Sequence, residues 1–229
     1  MSLQVEGRPV GEVYVTKCAG RLVAGEVHTL QAFVHKALRD HQDVVLQMEH
    51  VNFVDSSGLG ALVRLVQSAK SEGRHLRLCA VPDRVRQAIE LTNLQSLFEM
   101  HLDESDAIVA AYLGGRGQAA DGNATVLCAI DSADLRTFLG EVLCHAGYRA
   151  LTVANLNDAR ILMKATKARV VVLGPKNQSL HGVPAKKVFD EIDPAAELIL
   201  LDADFAGLEP GDAAAKVLGL VKTKSEPGR

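Results

Sequence analysis

The chain has 229 residues, of which 48% are hydrophobic and 23% charged, a profile typical of a soluble globular protein with room for two domains. The formal net charge of -3 argues against a general nucleic-acid binder, which would usually show a basic excess. Tryptophan is absent and aromatic residues make up only 4%, so a stacking platform for bases or sugars is not expected.

The first half alternates strand-like and helix-like segments. Strands are predicted at residues 12–17, 44–46 and 75–80, with residues 18–24 either continuing the first strand or returning from it. Helices are predicted at residues 26–39, 56–72, 82–92 and 102–113. Gly73 stands where the second helix should end. Short strands alternating with helices of this length predict a layered α/β domain, which we place at residues 8–113.

Residues 114–123 separate the two halves. They contain four glycines among small and polar residues and show no apolar periodicity, which favours a flexible linker. The second half, residues 124–222, predicts strands at 124–130, 149–153, 169–173 and 198–201. Helices are expected at 132–146, 156–167, 184–192 and 213–221, with Gly147 ending the first of them. This alternation is the pattern of a doubly wound parallel sheet.

The cysteines and the apolar runs limit the compartment and the chemistry. Cys18, Cys79 and Cys128 lie in strand-like runs, and neither they nor Cys144 belong to a CxxC pair. We therefore expect reduced thiols rather than disulfides or a metal site. No signal peptide is evident, and no run approaches the roughly 20 apolar residues that cross a bilayer. These features predict a cytoplasmic protein without a membrane partner.

The most informative segment is VDSSGLG at residues 54–60. A strand ends here and a helix begins, so Asp55 or Ser56 should cap the exposed N–H groups of the first turn. A phosphate on a hydroxyl at this point would interact favourably with the positive end of the helix dipole. Gly58 and Gly60 should keep the surface uncrowded for another protein. On these residues alone, an ordinary helix cap is the simpler interpretation.

Residues 54–63, VDSSGLGALV, closely resemble the signature of STAS domains, the fold of bacterial anti-anti-sigma factors. In that family the serine after the aspartate is phosphorylated by a serine kinase that is also an anti-sigma factor. The resemblance extends over the first half and implies a mixed sheet with helices, with Ser56 as the phosphorylation site. It also implies partner contacts, at Asp55, Ser57, Gly58, Leu59, Gly60 and Arg21.

The resemblance has one departure that bears on the partner. Simple anti-anti-sigma factors usually carry acidic residues in an early motif that helps contact the kinase. The matching stretch here is Gly20-Arg21-Leu22-Val23, which has a positive charge and a valine instead. Since charge complementarity selects partners, this difference predicts a different partner or a different regulation.

Residues 125–136 and Ala146-Gly147-Tyr148 resemble the opening of a response-regulator receiver domain, which implies a flavodoxin-like parallel sheet. A receiver needs a phosphoacceptor aspartate after its third strand, yet that strand is followed by Gly174-Pro175. Of the magnesium-binding acid pair only Asp131 remains, and one carboxylate is too few hard ligands for magnesium. We therefore predict a degenerate receiver-like domain without phosphotransfer, with an unrelated small α/β domain as the alternative.

Patterns that would indicate an enzyme are missing. There is no GxSxG or GK[ST] motif, and the eight histidines are dispersed. We expect no catalytic residues, metal or cofactor. The sequence favours an anti-anti-sigma factor-like signalling protein that binds a kinase or anti-sigma factor and is switched at Ser56. A constitutive STAS scaffold in a larger signalling complex is the alternative, and a small-ligand pocket or a homo-oligomer is left open.

Overall fold

The computed structural model describes residues 2–40, 42–114 and 124–225. The chain divides into two compact units, Met1–Ala111 and Tyr112–Arg229. Residues 115–123 of the predicted linker lie outside the described residues. Gly114, its first predicted residue, instead ends a helix. Within the described ranges, no helix combines the length and the apolar character needed to cross a membrane.

The first unit is built on one five-stranded sheet. Its strands are β1 (Gln4–Val10), β2 (Val13–Leu22), β3 (Asp43–Val54), β4 (Leu76–Cys79) and β5 (Glu99–His101). Its helices are α1 (Val27–Arg39), α2 (Ser56–Ser71), α3 (Asp83–Leu91) and α4 (Glu104–Gly114). The strands are arranged in the order β1-β2-β3-β4-β5, with β1 antiparallel to β2 and every other pair parallel. The expected mixed sheet with helices is confirmed for the N-terminal half.

Strands β1 and β5 were not predicted, for two physical reasons. Six of the seven positions of β1 are exposed or half-buried, so this edge strand lacks the apolar alternation that signals a strand. Strand β5 has three residues and is defined by its parallel pairing with β4. Pairing of this kind is tertiary information that a three-residue window does not carry. Gly73 does follow the end of α2, with a φ of +67°, as expected.

The core of the first unit lies between the sheet and its helices. The inward positions of α1 and α2 are aliphatic, and the centre of β3 is buried. These residues form one cluster, which includes Leu22, Leu30, Val34, Leu46, Met48, Leu59, Leu62 and Leu65. Because α2 starts directly after β3, burial of its apolar side determines which residues of its first turn face outward.

The second unit contains a four-stranded sheet that is entirely parallel. Its sheet strands are β6 (Thr125–Ala129), β7 (Arg149–Val153), β8 (Val170–Leu173) and β11 (Glu197–Leu200), in the order β11-β8-β6-β7. A short hairpin, β9 (Ser179–Leu180) with β10 (Val183–Pro184), was not predicted. The helices are α5 (Ala133–His145), α6 (Leu156–Thr166), α7 (Ala185–Asp190) and α8 (Pro210–Ser225). The expected parallel sheet is present, and α8 extends beyond both ends of the helix predicted at residues 213–221.

Two side chains anchor the segment that follows β8. The amide of Asn177 is buried and donates to the carbonyl oxygens of Ala129 and Ala154, at 3.0 and 3.1 Å. The amide of Gln178 donates to the carbonyl of Leu201 at 3.1 Å. The three acceptor residues lie at or just after the ends of β6, β7 and β11. The bonds therefore connect this segment to the sheet and hold the start of the hairpin in place.

Candidate functional site

The aspartate of the VDSSGLG segment caps α2. Asp55 Oδ1 accepts a hydrogen bond from the backbone N–H of Gly58 at 2.7 Å, and its carbonyl accepts from Leu59 N–H at 2.9 Å. Its own N–H donates to the carbonyl of Leu22 at 3.2 Å, on the neighbouring strand. Asp55, rather than Ser56, is therefore the cap, and it joins the end of β2 to the start of α2.

Ser56 is the first residue of α2 and is exposed, whereas Ser57 is half-buried. The first turn of α2, all of which the structure describes, carries no acidic side chain. The Ser56 hydroxyl thus stands at the positive end of a 16-residue helix, accessible to another protein. A phosphate attached here would interact favourably with the helix dipole, next to the Asp55 carboxylate that already accepts from Gly58 N–H.

The glycines and Leu59 differ in what they contact. Leu59 is buried in the core of the first unit, so its side chain packs within the domain. Gly58 is also buried, and a side chain there would collide with the carbonyl of Leu22. The expectation that both glycines leave room for a partner is therefore wrong for Gly58. The space that its missing side chain leaves is taken by the backbone of Leu22 in the same chain. Gly60 is half-buried and less crowded.

Arg21 lies at the same edge of the sheet as Asp55. Arg21 pairs with Phe53 in the parallel register of β2 and β3, one position before Leu22 pairs with Val54. The guanidinium carbon of Arg21 stands 4.8 Å from the centroid of the Phe53 ring, which is a cation–π contact. Phe53 is 46% exposed, an unusual position for a large apolar ring.

Phe53 was not among the predicted site residues, because strand alternation would place it on the same side as the buried Val51. Val51 is buried and Phe53, two positions further, is on the exposed part of β3 just before the signature. An exposed aromatic ring beside an arginine is a composition that protein interfaces favour. We therefore add Phe53 to the candidate site, which then comprises Arg21, Phe53 and the outward residues of the first turn of α2.

In the second unit, Asp131 follows β6 and forms an ion pair with Lys176, the nitrogen and Oδ2 being 2.9 Å apart. The hydrogen bond from Lys176 and its positive charge lower the pKa of Asp131 below its usual value. Gly174 follows β8, where a receiver would place its phosphoacceptor. Within the described parts of the chain, no group of three or more histidine, cysteine or acidic side chains is placed to hold a metal ion.

We expect Lys176→Gln to raise the pKa of Asp131 towards 3.8, its ordinary value, because the hydrogen bond and the charge that stabilise the carboxylate are removed. The change would be measured by following the Asp131 carboxyl carbon in an NMR pH titration. Lys222→Gln, an exposed lysine on α8, is the control. An Asp131 pKa that is unchanged by Lys176→Gln would contradict the ion pair.

Three cysteines are buried, as predicted, and all four are free thiols. Burial raises the pKa of Cys18, Cys79 and Cys128 to about 12 in each case. Since the thiolate is the reactive form, these three side chains are poor nucleophiles and contribute to packing. Cys144 is exposed.

Comparisons with known proteins bear on the first unit. The STAS domain family model matches residues 4–107. Among curated proteins, the chain is 28% identical over 109 residues to the anti-sigma-B factor antagonist of Staphylococcus aureus (strain NCTC 8325 / PS 47), covering 47% of this chain and 99% of that protein.

Two solved structures are also similar. An anti-sigma factor antagonist from Mycobacterium paratuberculosis is 22% identical with a TM-score of 0.45, covering 48% of this chain and 94% of that one. The Bacillus cell fate determinant SpoIIAA in its phosphorylated form is 20% identical with a TM-score of 0.38, covering 47% and 96%.

Proposed function

We propose that this protein is an anti-sigma factor antagonist whose STAS domain binds an anti-sigma factor with serine kinase activity and is switched by phosphorylation of Ser56. The relatives named anti-sigma factor antagonists support the role. The observation that carries the switch is the position of Ser56, which is exposed at the amino end of α2, the helix that Asp55 caps. The same edge of the sheet presents Arg21 and Phe53 as contacts for the partner.

The proposed switch acts through charge at a packed surface. Before phosphorylation, the neutral first turn of α2 lies against the partner together with the Phe53 ring. Phosphorylation adds roughly 1.5 to 2 negative charges and a bulky group at Ser56. The partner's kinase site has already contacted the hydroxyl at close range, so the added charge and volume weaken the complex. The released antagonist leaves the anti-sigma factor free to bind its sigma factor.

For the second unit we propose a degenerate receiver-like domain that docks another protein or a second copy and does not transfer phosphate. If its four sheet strands are numbered by their order in the chain, their order across the sheet is 2-1-3-4. The first four strands of flavodoxin-like folds have the same order. Asp131 forms an ion pair with Lys176, and Gly174 follows β8, where the resemblance to a receiver would place the phosphoacceptor; both support the proposed loss of phosphotransfer. The domain boundaries predicted from the sequence, residues 8–113 and 124–222 with 114–123 as the linker, remain a proposal, but β1 and α4 extend the first domain to residues 4 and 114, and α8 extends the second to residue 225.

A constitutive scaffold is the second candidate. It is favoured by the Asp55 cap, because the hydrogen bond to Gly58 explains the aspartate and the turn without any modification. In that case Ser56 would be an ordinary first helical residue and charge there would not matter.

The two candidates differ in the effect of charge at Ser56. We expect the wild type, Ser56→Ala and Ser56→Asn to capture the same kinase-like partner from native lysate, and Ser56→Asp to lose about tenfold or more in capture. Asparagine is the matched control, since it has the shape of aspartate without the charge. Phosphopeptide mapping of the wild type should find Ser56 modified.

The scaffold interpretation predicts the opposite result. All four baits would capture the same proteins to the same extent, and Ser56 would never be modified. Circular dichroism of each bait checks that a loss of capture is not a loss of folding.

A further inference from the structure

A pocket of about 430 Å³ lies in the second unit, between α6, the β9–β10 hairpin and α7. Its polar lining comes from Arg160 and Lys164 on α6, His181 in the hairpin turn, and Lys187 and Glu191 on or just after α7. The volume falls in the range of small-molecule sites, roughly 300–1,000 Å³. None of these residues belongs to the candidate STAS site or to the Asp131 ion pair.

The charge of this pocket is unbalanced. Arg160, Lys164 and Lys187 bring three permanent positive charges, against one carboxylate from Glu191. In the described part of the chain, none of the three cations forms an ion pair, whereas Lys176, Lys216 and Lys224 each do. Like charges that converge on a concave surface raise the local concentration of anions. The electrostatics therefore fit an anionic ligand.

Arg160 supplies an independent observation. Its Nη2 donates to Asn157 Oδ1 at 3.2 Å, but its Nε is buried and has no hydrogen-bond partner among the described residues. Buried donors are almost always paired, so this Nε is a donor that the described part of the chain leaves unsatisfied. A guanidinium matches the geometry of phosphate oxygens in particular.

The hairpin that closes the pocket is held in a defined position. Its two-residue turn, His181-Gly182, has φ values of +49° and +81°, the left-handed conformation that tight hairpins prefer. The segment before it is anchored by Asn177 and Gln178. The remaining lining is aliphatic and includes Val183 and Val188. The pocket thus combines an anion-binding wall with a small aliphatic surface.

We propose that this pocket binds a small organic phosphate, whose phosphoryl oxygens contact Arg160, Lys164 and Lys187 and whose aliphatic part packs on Val183 and Val188. Through this site a small molecule would regulate the second unit separately from phosphorylation of Ser56. It goes beyond the proposed function and does not depend on it.

The test is isothermal titration calorimetry of the full chain with inorganic pyrophosphate as the probe, at constant ionic strength. We expect saturable binding by the wild type and a loss of tenfold or more in affinity for Lys164→Gln/Lys187→Gln. The matched control, Lys36→Gln/Lys70→Gln, makes the same change in net charge at exposed positions of the first unit and should bind as the wild type does. Arg160→Lys keeps the charge but removes the Nε donor, and should also weaken binding.

Three results would overturn the proposal. The first is the absence of saturable binding by the wild type, and the second is equal affinity of the two double variants. The third is displacement of pyrophosphate by an acidic peptide at equal or lower concentration, which would assign the pocket to a protein partner instead. Hydrogen exchange of α6 and α7 in each variant establishes that the walls are folded.

Discussion

Gly58→Ala is expected to destabilise the first unit by about 3 kcal/mol, the upper end of the usual cost of overpacking. A Cβ at this position would lie against the carbonyl oxygen of Leu22, far inside van der Waals contact, and 2.9 Å from both the Leu22 carbonyl carbon and Val54 Cγ2. Two of these three atoms are backbone atoms of a central strand, so they cannot move aside without disturbing β2. The helix would have to shift instead, and Ser56 with it.

Gly60→Ala is the matched control, two residues further along the same helix. The nearest atom to its Cβ would be Nη1 of Arg64 at 3.4 Å, the far end of a flexible side chain. Alanine is also the better helix former, so we expect a neutral change or a gain of about 0.5–1 kcal/mol. Equal effects at the two glycines would disprove the packing explanation.

Both variants are best measured by hydrogen–deuterium exchange of peptides from residues 2–111 in the full chain. A protein with two compact units does not have one well-defined free energy of unfolding, so a single melting curve would mix them. Exchange of core amides reports the opening of the first unit by itself. For Gly58→Ala, protection of β2, β3 and α2 should fall together.

Arg77→Ala is the second large change, with an expected cost of about 3 kcal/mol, the lower end of the range for breaking a buried ion pair. Arg77 is only 3% exposed, with its Nε 2.9 Å from Glu99 Oε1 and its Nη1 3.4 Å from Asp43 Oδ2. Its removal leaves the largely buried Asp43 without its ion-pair partner. Glu99 is 47% exposed and would be hydrated, which keeps the cost from being larger.

The control for this variant is Arg84→Ala, an exposed arginine on α3 of the same unit, which should change stability by no more than about 0.5 kcal/mol. Arg77→Met tests the packing contribution, since the methionine stem retains part of the buried volume. If Arg77→Ala changes stability as little as Arg84→Ala does, the network formed by Arg77, Asp43 and Glu99 adds nothing to stability.

The same network predicts a pH dependence. Burial alone would raise the pKa of Glu99, but the hydrogen bond and charge of Arg77, with a smaller effect of His101, outweigh burial and lower it. The folded pKa therefore lies below the ordinary value of 4.5. The stabilisation from Glu99 is present above pH 4.5 and is lost as the pH falls through the folded pKa. Arg77→Ala should flatten this part of the pH profile, which is measured by the same exchange experiment.

Several features of the candidate site could be predicted because they depend on neighbours in the chain. A strand followed by Asp-Ser-Ser and an apolar periodic run defines a capped helix within seven residues, and Ser56 is exposed at its start as expected. The boundaries of α1, α2, α6 and β7 follow from apolar periodicity in the same way and fall within a residue or two of prediction. Capping and amphipathic burial are local effects, so they can be found in a short window.

Other features depend on residues that are distant in the chain. The need for glycine at position 58 comes from Leu22, 36 positions earlier in the sequence, and the Arg21–Phe53 contact comes from the parallel pairing of β2 with β3. The partner of Asp131 is Lys176, and the basic pocket joins α6 to a hairpin too short to be predicted. The sequence by itself thus determined most of the helices and the main sheet strands of the second unit, the resemblance of the first half to STAS domains, and the exposed serine. Only the tertiary structure decided what each side chain of the site touches, since strand pairing and close packing bring together atoms that no local pattern relates.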